Sequence, residues 1–233
     1  MIDEDFAREA LEGCVLFQHV DVQGLDACLA CLRLRRFKRD ETVFHQGDPG
    51  DALYIVASGR VKVVLPSPDA SEGAILATLA RGQFFGELAM LDGQPHSADV
   101  VAIEPTETLV LGRTDFERLF ESEPSIRRSL VLALARELRR LTDHVEALHF
   151  LDLPQRLAQR IAELALASPD ARPGTEVRLD WPYTQAELAG MVGGSRESVN
   201  RLLADFVGRG LIRFERDILV VPDAGRLTQE ARR

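Results

Sequence analysis

The chain has 233 residues with a formal net charge of −9 at pH 7, and 45% of its residues are hydrophobic. That length accommodates two modest domains, and the apolar content is ordinary for a globular protein. No run of about 18 apolar residues occurs, which argues against a transmembrane helix, and the acidic N-terminus is unlike a signal peptide, so we expect a cytoplasmic protein.

The acidic charge is concentrated in the N-terminal part of the chain. Residues 151–233 contain 12 Lys/Arg and 12 Asp/Glu, whereas residues 1–150 contain 16 and 25 and so carry the entire −9. A neutral C-terminal part can still present a local basic face to nucleic acid. The net charge therefore does not exclude DNA binding.

The N-terminal half begins with two amphipathic segments, 3–12 and 21–32, that predict helices. From Leu34 onward, short β-type runs alternate with Gly, Pro and Asp, a pattern that predicts a β-sandwich or barrel. Residues 66–73 are expected to form an exposed hairpin loop between two of these strands.

The three cysteines are Cys14, Cys28 and Cys31. A structural metal or iron–sulfur site usually needs four ligands, which this set does not provide. We therefore expect buried, reduced thiols and no metal.

The segment 82–98 interrupts the strands. Its residues 86–91 can form one helical turn after a glycine, where free amides and the helix dipole suit an anion. Glu87 at the same place could accept a hydrogen bond from a sugar hydroxyl, so a phosphate next to a ribose would satisfy both features. The alternative is a short capped helix in which the dipole simply favours Glu87.

A heptad pattern runs through residues 126–149. Its apolar residues are spaced 3 and 4 apart, as in a coiled-coil seam, at Val131, Leu134, Leu138, Leu141, Val145 and Leu148. The seam predicts a homodimer with twofold symmetry. A long helix that packs on its own β-domain is the alternative.

The segment 184–221 predicts a winged helix-turn-helix. Thr184 and Glu187 form a capping box. Gly193-Gly194 are expected to make the tight turn between two helices because both glycines tolerate a positive φ. Ser195 caps the second helix. That helix has an apolar side that includes Val199 and Phe206, and a polar side that consists of Arg196, Glu197, Asn200 and Arg201. The runs 211–214 and 218–221 then predict a β-hairpin wing.

The polar side of the second helix suits the major groove of double-stranded DNA. Arginine can bond bidentately to guanine, and glutamate can accept from cytosine N4. Because phosphates repel a carboxylate, Glu197 favours base reading over general adhesion. An ordinary helical hairpin with a solvated face is the alternative.

The stretch GGSRESVNRLL resembles the recognition helix of the cyclic-AMP receptor protein/FNR (CRP/FNR) family of bacterial transcription regulators. The resemblance extends from about residue 15 to residue 222. It implies that Arg196, Glu197 and Arg201 read bases, that Thr184, Ser195 and Ser198 contact phosphates, and that a TGTGA…TCACA palindrome is the operator type.

The segments GDPGDALYIVASGRVKV and FGELAMLDGQPHSA resemble the family's cyclic-nucleotide-binding domain. The resemblance implies that Gly86 and Glu87 contact a ribose, and that Ser97 and the backbone amides of 86–88, which include Leu88, contact the cyclic phosphate. His96 departs from the pattern because the family has a phosphate-binding arginine there. An arginine is always charged, whereas a histidine is shorter and mostly neutral near pH 7.

The same resemblance assigns roles to the long helix and its surroundings. It places the nucleotide base against Leu141 and Thr142, where Leu141 puts an apolar group in a position that usually holds a hydroxyl. Residues 150–152 match the hinge between sensor and reader, and the loop 168–176 matches a contact with RNA polymerase.

These observations predict an α+β fold with three parts. They are a β-roll sensor of the cyclic-nucleotide-binding type, which is a double-stranded jelly roll (1–118), a long dimerisation helix with its hinge (119–151), and a C-terminal winged helix-turn-helix (152–233). The predicted function is a homodimeric, sequence-specific transcription regulator that binds a pseudo-palindromic DNA site, with RNA polymerase as a further partner.

The sequence alone does not decide whether the β-roll binds a ligand. The β-roll could bind cyclic AMP weakly, bind another ligand, or be vestigial, and the two departures favour a regulator that needs no cyclic AMP. A redox or haem sensor and a nucleotide hydrolase that uses Glu87 and His96 are the rival classes. The chain contains no recognisable nucleophile–base pair, so we expect no catalytic residues.

Overall fold

The computed structural model describes residues 4–67, 73–168, 171–172 and 174–232. The hairpin loop predicted over 66–73 lies mostly outside these residues, as do three positions of the loop 168–176. The chain separates into two compact units, the first ending at Arg140 and the second beginning at Leu141. Helices and antiparallel sheets occur in both, which confirms the α+β prediction.

The first unit contains a β-roll between helices. Its elements are α1 (Glu4–Glu12), α2 (Val22–Leu29), β1 (Arg33–Phe37), β2 (Thr42–Phe44), β3 (Ala52–Ser58), β4 (Arg60–Leu65), β5 (Ala74–Ala80), β6 (Phe84–Phe85), α3 (Glu87–Asp92), β7 (Asp99–Ala102), β8 (Thr106–Gly112) and α4 (Arg113–Ser122). The strands form two four-stranded antiparallel sheets with the orders β1-β8-β3-β6 and β2-β7-β4-β5.

The core of this unit has two layers. Side chains of both sheets meet inside the roll, where Phe37 and Val56 pack with Val61 and Val100. The opposite face of the first sheet packs against the helices through residues such as Leu53 and Ile55. Strand β3 is buried on both sides, which explains why its sequence is apolar at successive positions rather than at alternate ones.

Helix α5 (Pro124–Phe150) runs from the first unit into the second. It is a single uninterrupted helix of 27 residues, as the heptad pattern predicted. Ile126 and Leu130 at its beginning are buried in the helical layer of the first unit. None of the described helices is long and apolar enough to span a membrane.

The second unit is a winged helix-turn-helix. It contains α6 (Leu153–Leu166), β9 (Val177–Asp180), α7 (Gln185–Val192), α8 (Arg196–Gly208), β10 (Arg213–Glu215), β11 (Ile218–Val221) and α9 (Ala224–Glu230). The strands form one antiparallel sheet in the order β10-β11-β9. The hairpin β10–β11 confirms the predicted wing, whereas β9 and α9 were not predicted.

The start of α7 confirms the predicted capping box. The Thr184 hydroxyl accepts from the backbone N–H of Glu187, and the Glu187 carboxylate accepts from the backbone N–H of Thr184. A second capping box, made by Asp152 and Gln155, starts α6. These side chains satisfy amide donors that lack a partner in the first turn of each helix.

The two glycines between α7 and α8 have different roles. Gly193 has a φ of +64°, a left-handed conformation that favours glycine. Gly194 has no positive φ, contrary to the expectation that the turn needs left-handed freedom at both positions. A Cβ at Gly194 would instead lie 2.7 Å from Leu153 Cδ1, so close packing is what restricts this position.

Candidate DNA-binding and sensor sites

Helix α8 presents two chemically different faces. Its apolar side is buried, with exposed fractions of 0% for Val199, 5% for Leu203 and 1% for Phe206. The opposite side is exposed and consists of the predicted base-reading residues, Arg196, Glu197, Asn200 and Arg201. Burial of one face orients the other toward solvent, so the fold brings all four polar residues to one surface.

Three of these four side chains are available to a ligand. Within the described residues, no ion pair involves Arg196, Glu197 or Arg201. Asn200 is different, because its Oδ1 accepts a hydrogen bond from Gln185 Nε2 at 2.9 Å. Gln185 is exposed beside this face and was missed at the sequence level, because only the fold brings the first residue of α7 to Asn200.

The hydroxyls predicted to contact phosphates already take part in caps. The Thr184 hydroxyl donates to Glu187 Oε2 at 3.0 Å, and Glu187 is only 2% exposed. The Ser195 hydroxyl donates to Ser198 Oγ at 3.0 Å and accepts from the backbone N–H of Ser198. In this arrangement the Ser198 hydroxyl is the one whose proton is not used within the caps.

The sheet that carries the wing has a network of alternating charges on its surface. Arg178 Nη2 lies 2.5 Å from Glu215 Oε2, and Arg213 Nε lies 2.9 Å from Glu215 Oε1. Glu176 lies 2.9 Å from Arg213 Nη2 and 3.5 Å from Arg178 Nη1. Two arginines and two glutamates thus neutralise each other on the surface of the sheet.

The predicted dimer seam of α5 is largely uncovered. Val131, Leu138 and Val145 are 64%, 67% and 52% exposed, at a spacing of seven residues, and Leu148 is 44% exposed. Leu141 is partly buried, and Leu134 packs partly against the helical layer of the first unit. A row of exposed apolar side chains along one helix is typical of a surface that another helix covers.

The predicted helical turn of the sensor is α3, which follows Gly86. Gly86 has a φ of +87°, and a Cβ there would lie 2.7 Å from Ala52 O, so both conformation and space require glycine. Leu88 is 49% exposed, and Ser97 is also exposed. Leu141 and Thr142 belong to the second unit, and their contact with a nucleotide base stays a prediction.

His96 is part of the packed interior rather than a free pocket group. It is 7% exposed and stacks on Phe44, with ring centroids 3.5 Å apart and planes 5° apart. Its backbone N–H donates to Asp48 O, and its carbonyl accepts from the Gly47 N–H. Burial lowers the pKa of His96 below its usual 6.5, although Asp48 and Asp51 act in the opposite direction, so the ring is neutral at pH 7.

Glu87 is partly buried at the beginning of α3. Desolvation, with a smaller contribution from the nearby Glu137 of α5, raises the pKa of its carboxyl to about 7, against the effect of a backbone hydrogen bond. Glu137 also accepts two hydrogen bonds from Arg140, whose Nη1 donates to Leu76 O of β5 at 2.9 Å. Two carboxyl groups therefore lie near each other in this part of the sensor.

Arg113, which sequence reasoning missed, holds α3 against the roll. Its guanidinium donates to the carbonyls of Gly50, Ala89 and Met90 at 2.6, 3.0 and 3.1 Å. These carbonyls belong to the turn before β3 and to the end of α3. The Arg113 side chain thus fixes the segment that was predicted to bind a ligand.

Two of the three thiols are fully buried. Cys14 and Cys28 are 0% exposed, and desolvation raises the pKa of each to about 12. Cys31 is partly exposed and accepts a hydrogen bond from Arg118 Nη2 at 2.9 Å. No group of three or more potential metal ligands occurs among the residues that the structure describes.

Comparison with known proteins identifies both halves of the chain. Residues 34–123 match the cyclic nucleotide-binding domain, and residues 155–230 match the Crp-like helix-turn-helix domain. The chain is 35% identical over 231 residues to the CRP-like cAMP-activated global transcriptional regulator of Mycobacterium tuberculosis, covering 99% of this chain and 100% of that one.

The chain belongs to the CRP-like family of transcription regulators. The Cyclic AMP receptor protein of Thermus thermophilus is 33% identical over 221 residues, which cover 95% of this chain and 98% of that protein. Among solved structures, the c-di-GMP responsive regulator CLP of Xanthomonas campestris aligns with a TM-score of 0.72 at 26% identity, over 86% of this chain and 99% of CLP. The family confirms a DNA-binding transcription regulator, as predicted.

The sensor of this CRP-like regulator has His96 where the resemblance places a phosphate-binding arginine. Of the seven predicted ligand residues only His96 can carry a positive charge, and its pKa is lowered by burial. A phosphate near α3 would meet this neutral ring and Glu87, a carboxyl whose pKa burial raises to about 7. The missing charge-assisted hydrogen bond costs about 1.5–3 kcal/mol of binding free energy.

Proposed function

We propose that this regulator binds a pseudo-palindromic DNA site as a homodimer and does so without cyclic AMP. The observation that carries the proposal is the exposed face of α8, where Arg196, Glu197 and Arg201 have no ion-pair partner in the described chain. These are the side-chain types that read guanine and cytosine edges. The opposite, buried face of α8 fixes the helix on the domain.

The uncovered seam of α5 supports the dimer. Val131, Leu138 and Val145 leave an apolar stripe in water that a second copy would cover. A twofold axis would then relate two α8 helices, which suits half-sites about one helical turn apart. A bacterial regulator meets such a site in the cytoplasm, which is therefore the proposed location.

Binding without cyclic AMP is supported by the sensor geometry. His96 is packed on Phe44, and Arg113 joins α3 to the turn before β3 through carbonyls of this chain, so α3 is fixed by protein groups alone. The competing function, a cyclic-AMP-activated regulator, is favoured by the names of the M. tuberculosis and T. thermophilus relatives. RNA polymerase is a further proposed partner, through the loop 168–176.

The deciding experiment is fluorescence anisotropy with a labelled TGTGA…TCACA duplex, with and without cyclic AMP. We expect equal affinity in both conditions. Binding that appears only with the nucleotide would establish the competing function. No binding in either condition, while the protein is folded, would contradict this operator type.

Arg196→Ala tests base reading on the same duplex. We expect a loss of about 1–3 kcal/mol in binding free energy and relaxed preference at one base pair of each half-site. Arg232→Ala, which removes the same charge from an exposed position of the same unit, serves as the control. An equal loss on all sequences would show that Arg196 contacts only the backbone.

A further inference from the structure

The turn between α7 and α8 is tied to the end of α5 by one arginine. Arg156, in the first turns of α6, donates from Nε to Val192 O at 2.7 Å and from Nη1 to Leu151 O at 2.7 Å. Its Nη2 donates to Gly193 O at 3.3 Å. All these residues belong to the second compact unit.

The three acceptors lie at the C-terminal ends of two helices. Val192 is the last residue of α7, Gly193 is its cap, and Leu151 directly follows α5. Carbonyls at helix ends have no partner within the helix and carry the negative end of its dipole. The planar guanidinium can serve both ends at once because its donors are held in a fixed fork.

Close packing at the same turn is an independent second observation. A Cβ at Gly194 would lie 2.7 Å from Leu153 Cδ1, and one at Gly193 would lie 3.1 Å from Leu148 Cδ2. Leu148 is in the last turn of α5, and Leu153 begins α6. The residue after the glycines, Ser195, caps α8. The turn that leads into α8 therefore lies against the end of the predicted dimer helix and the beginning of α6.

We infer that Arg156 is a positioning residue that fixes the angle of α8 relative to the end of α5, and thereby sets which half-site spacing the dimer accepts. It touches no base and acts through the turn 192–194. The inference rests on the proposed homodimer, because only two linked α8 helices can discriminate spacing. Without the three hydrogen bonds, α8 still folds on its own cap but is held less rigidly to α5.

The test uses operators in which the centre between the half-sites is shortened or lengthened by one or two base pairs. Each added base pair rotates one half-site by about 35° around the duplex. For the wild-type protein we expect anisotropy titrations to show a fall in affinity of about tenfold or more away from the preferred spacing. Arg156→Lys keeps the charge but loses the fork, so its affinities should vary by only about threefold across the series.

Binding to a single half-site distinguishes a positioning role of Arg156 from a purely structural one. The affinity for a single half-site should change less than about twofold in Arg156→Lys, because α8 itself is intact. Gly194→Ala, which displaces Leu153 in the same junction, should flatten the spacing profile in the same way. Arg226→Lys is the matched control, since Arg226 also donates to a carbonyl, that of Gly210, but lies outside the junction.

The outcomes separate this inference from the proposed function. A flat profile for the wild-type protein overturns the dimeric operator and the junction together. A sharp wild-type profile that Arg156→Lys and Gly194→Ala both preserve overturns the junction alone. A loss of half-site affinity as large as the loss on the full operator would also overturn it, since Arg156 would then support the fold of the reader.

Discussion

Phe44 and His96 stack face to face, with ring centroids 3.5 Å apart. The stack places the imidazole against Gly50, where a Cβ would lie 3.1 Å from His96 Cε1. A buried ring that is stacked on Phe44 and lies close to Gly50 has little freedom to turn toward a bound anion. Its neutrality and its packing therefore have one cause, which is burial between β2 and the turn before β3.

His96→Arg should create a response to cyclic AMP. A buried guanidinium is costly even beside Asp48 and Asp51, so the variant should melt below the wild type and recover when the nucleotide supplies a phosphate. Differential scanning fluorimetry with increasing cyclic AMP measures both effects, and the wild type should show no shift. His45→Arg, at an exposed histidine of the same region, is the control. If the melting temperature of His96→Arg does not change with cyclic AMP, the sensor lacks more than this charge.

Glu87→Gln should stabilise the protein at alkaline pH. Because the folded-state pKa of Glu87 is raised to about 7, its carboxyl contributes stability below its unfolded pKa of about 4.5, and this contribution is lost as pH rises through 7. Glutamine cannot ionise, so the variant should equal the wild type near pH 4.5 and exceed it by about 1–2 kcal/mol at pH 8, after allowance for partial exposure.

Urea unfolding at several pH values measures this difference. Glu117→Gln, at an exposed carboxylate of α4 paired with Arg113, is a control that should not show the same pH dependence. A stability gap between Glu87→Gln and the wild type that is constant with pH would contradict the shifted carboxyl.

Leu138→Glu should dissociate the proposed dimer. The substitution places a charge in the middle of the seam, where a partner helix would have to bury it. Sedimentation velocity should show a monomer for the variant and a dimer for the wild type. Val22→Glu is the matched control for Leu138→Glu, because Val22 is also 67% exposed but lies outside α5. If both variants stay dimeric, the seam is not the interface.

Thr184→Ala should act on stability more than on DNA affinity. It removes the cap of α7 and one hydrogen bond to the buried Glu187, at a cost of about 1–2 kcal/mol in the free energy of unfolding. Ser198→Ala should do the reverse, weakening binding equally on all sequences with little effect on unfolding. Chemical denaturation and anisotropy on two unrelated duplexes distinguish the two roles. A stable Thr184→Ala that binds DNA poorly would restore the phosphate contact implied by the resemblance.

Local signals were read correctly from the sequence, whereas long-range contacts were not. The Thr184–Glu187 box was predictable because a cap depends on residues three positions apart. The clamps of Arg113 and Arg156 were not, since their carbonyl acceptors lie up to 63 residues away and carry no side-chain signature. Gly194 was assigned to the turn for the wrong reason, because its neighbour Leu153 is identified only by the fold.

The short elements β9 and α9 were also not predictable, because they depend on long-range contacts. Strand β9 has only four residues, and it becomes a strand by pairing with β11, as Leu179 does opposite Leu219. Helix α9 has seven residues and relies on an Asp223 cap and on the buried Leu227. Helices this short are marginal in isolation, so tertiary packing decides them.

The charge network on the sheet of the wing limits what Arg178 and Arg213 add to the ionic-strength dependence of DNA binding. Arg178 and Arg213 are already paired with Glu176 and Glu215, so neither offers a full positive charge to a phosphate. Condensed cations leave the duplex only when protein charges replace them. The wing would therefore guide the fit of the domain by shape and displace few cations. Discrimination between operators should then survive at salt concentrations that remove non-specific binding.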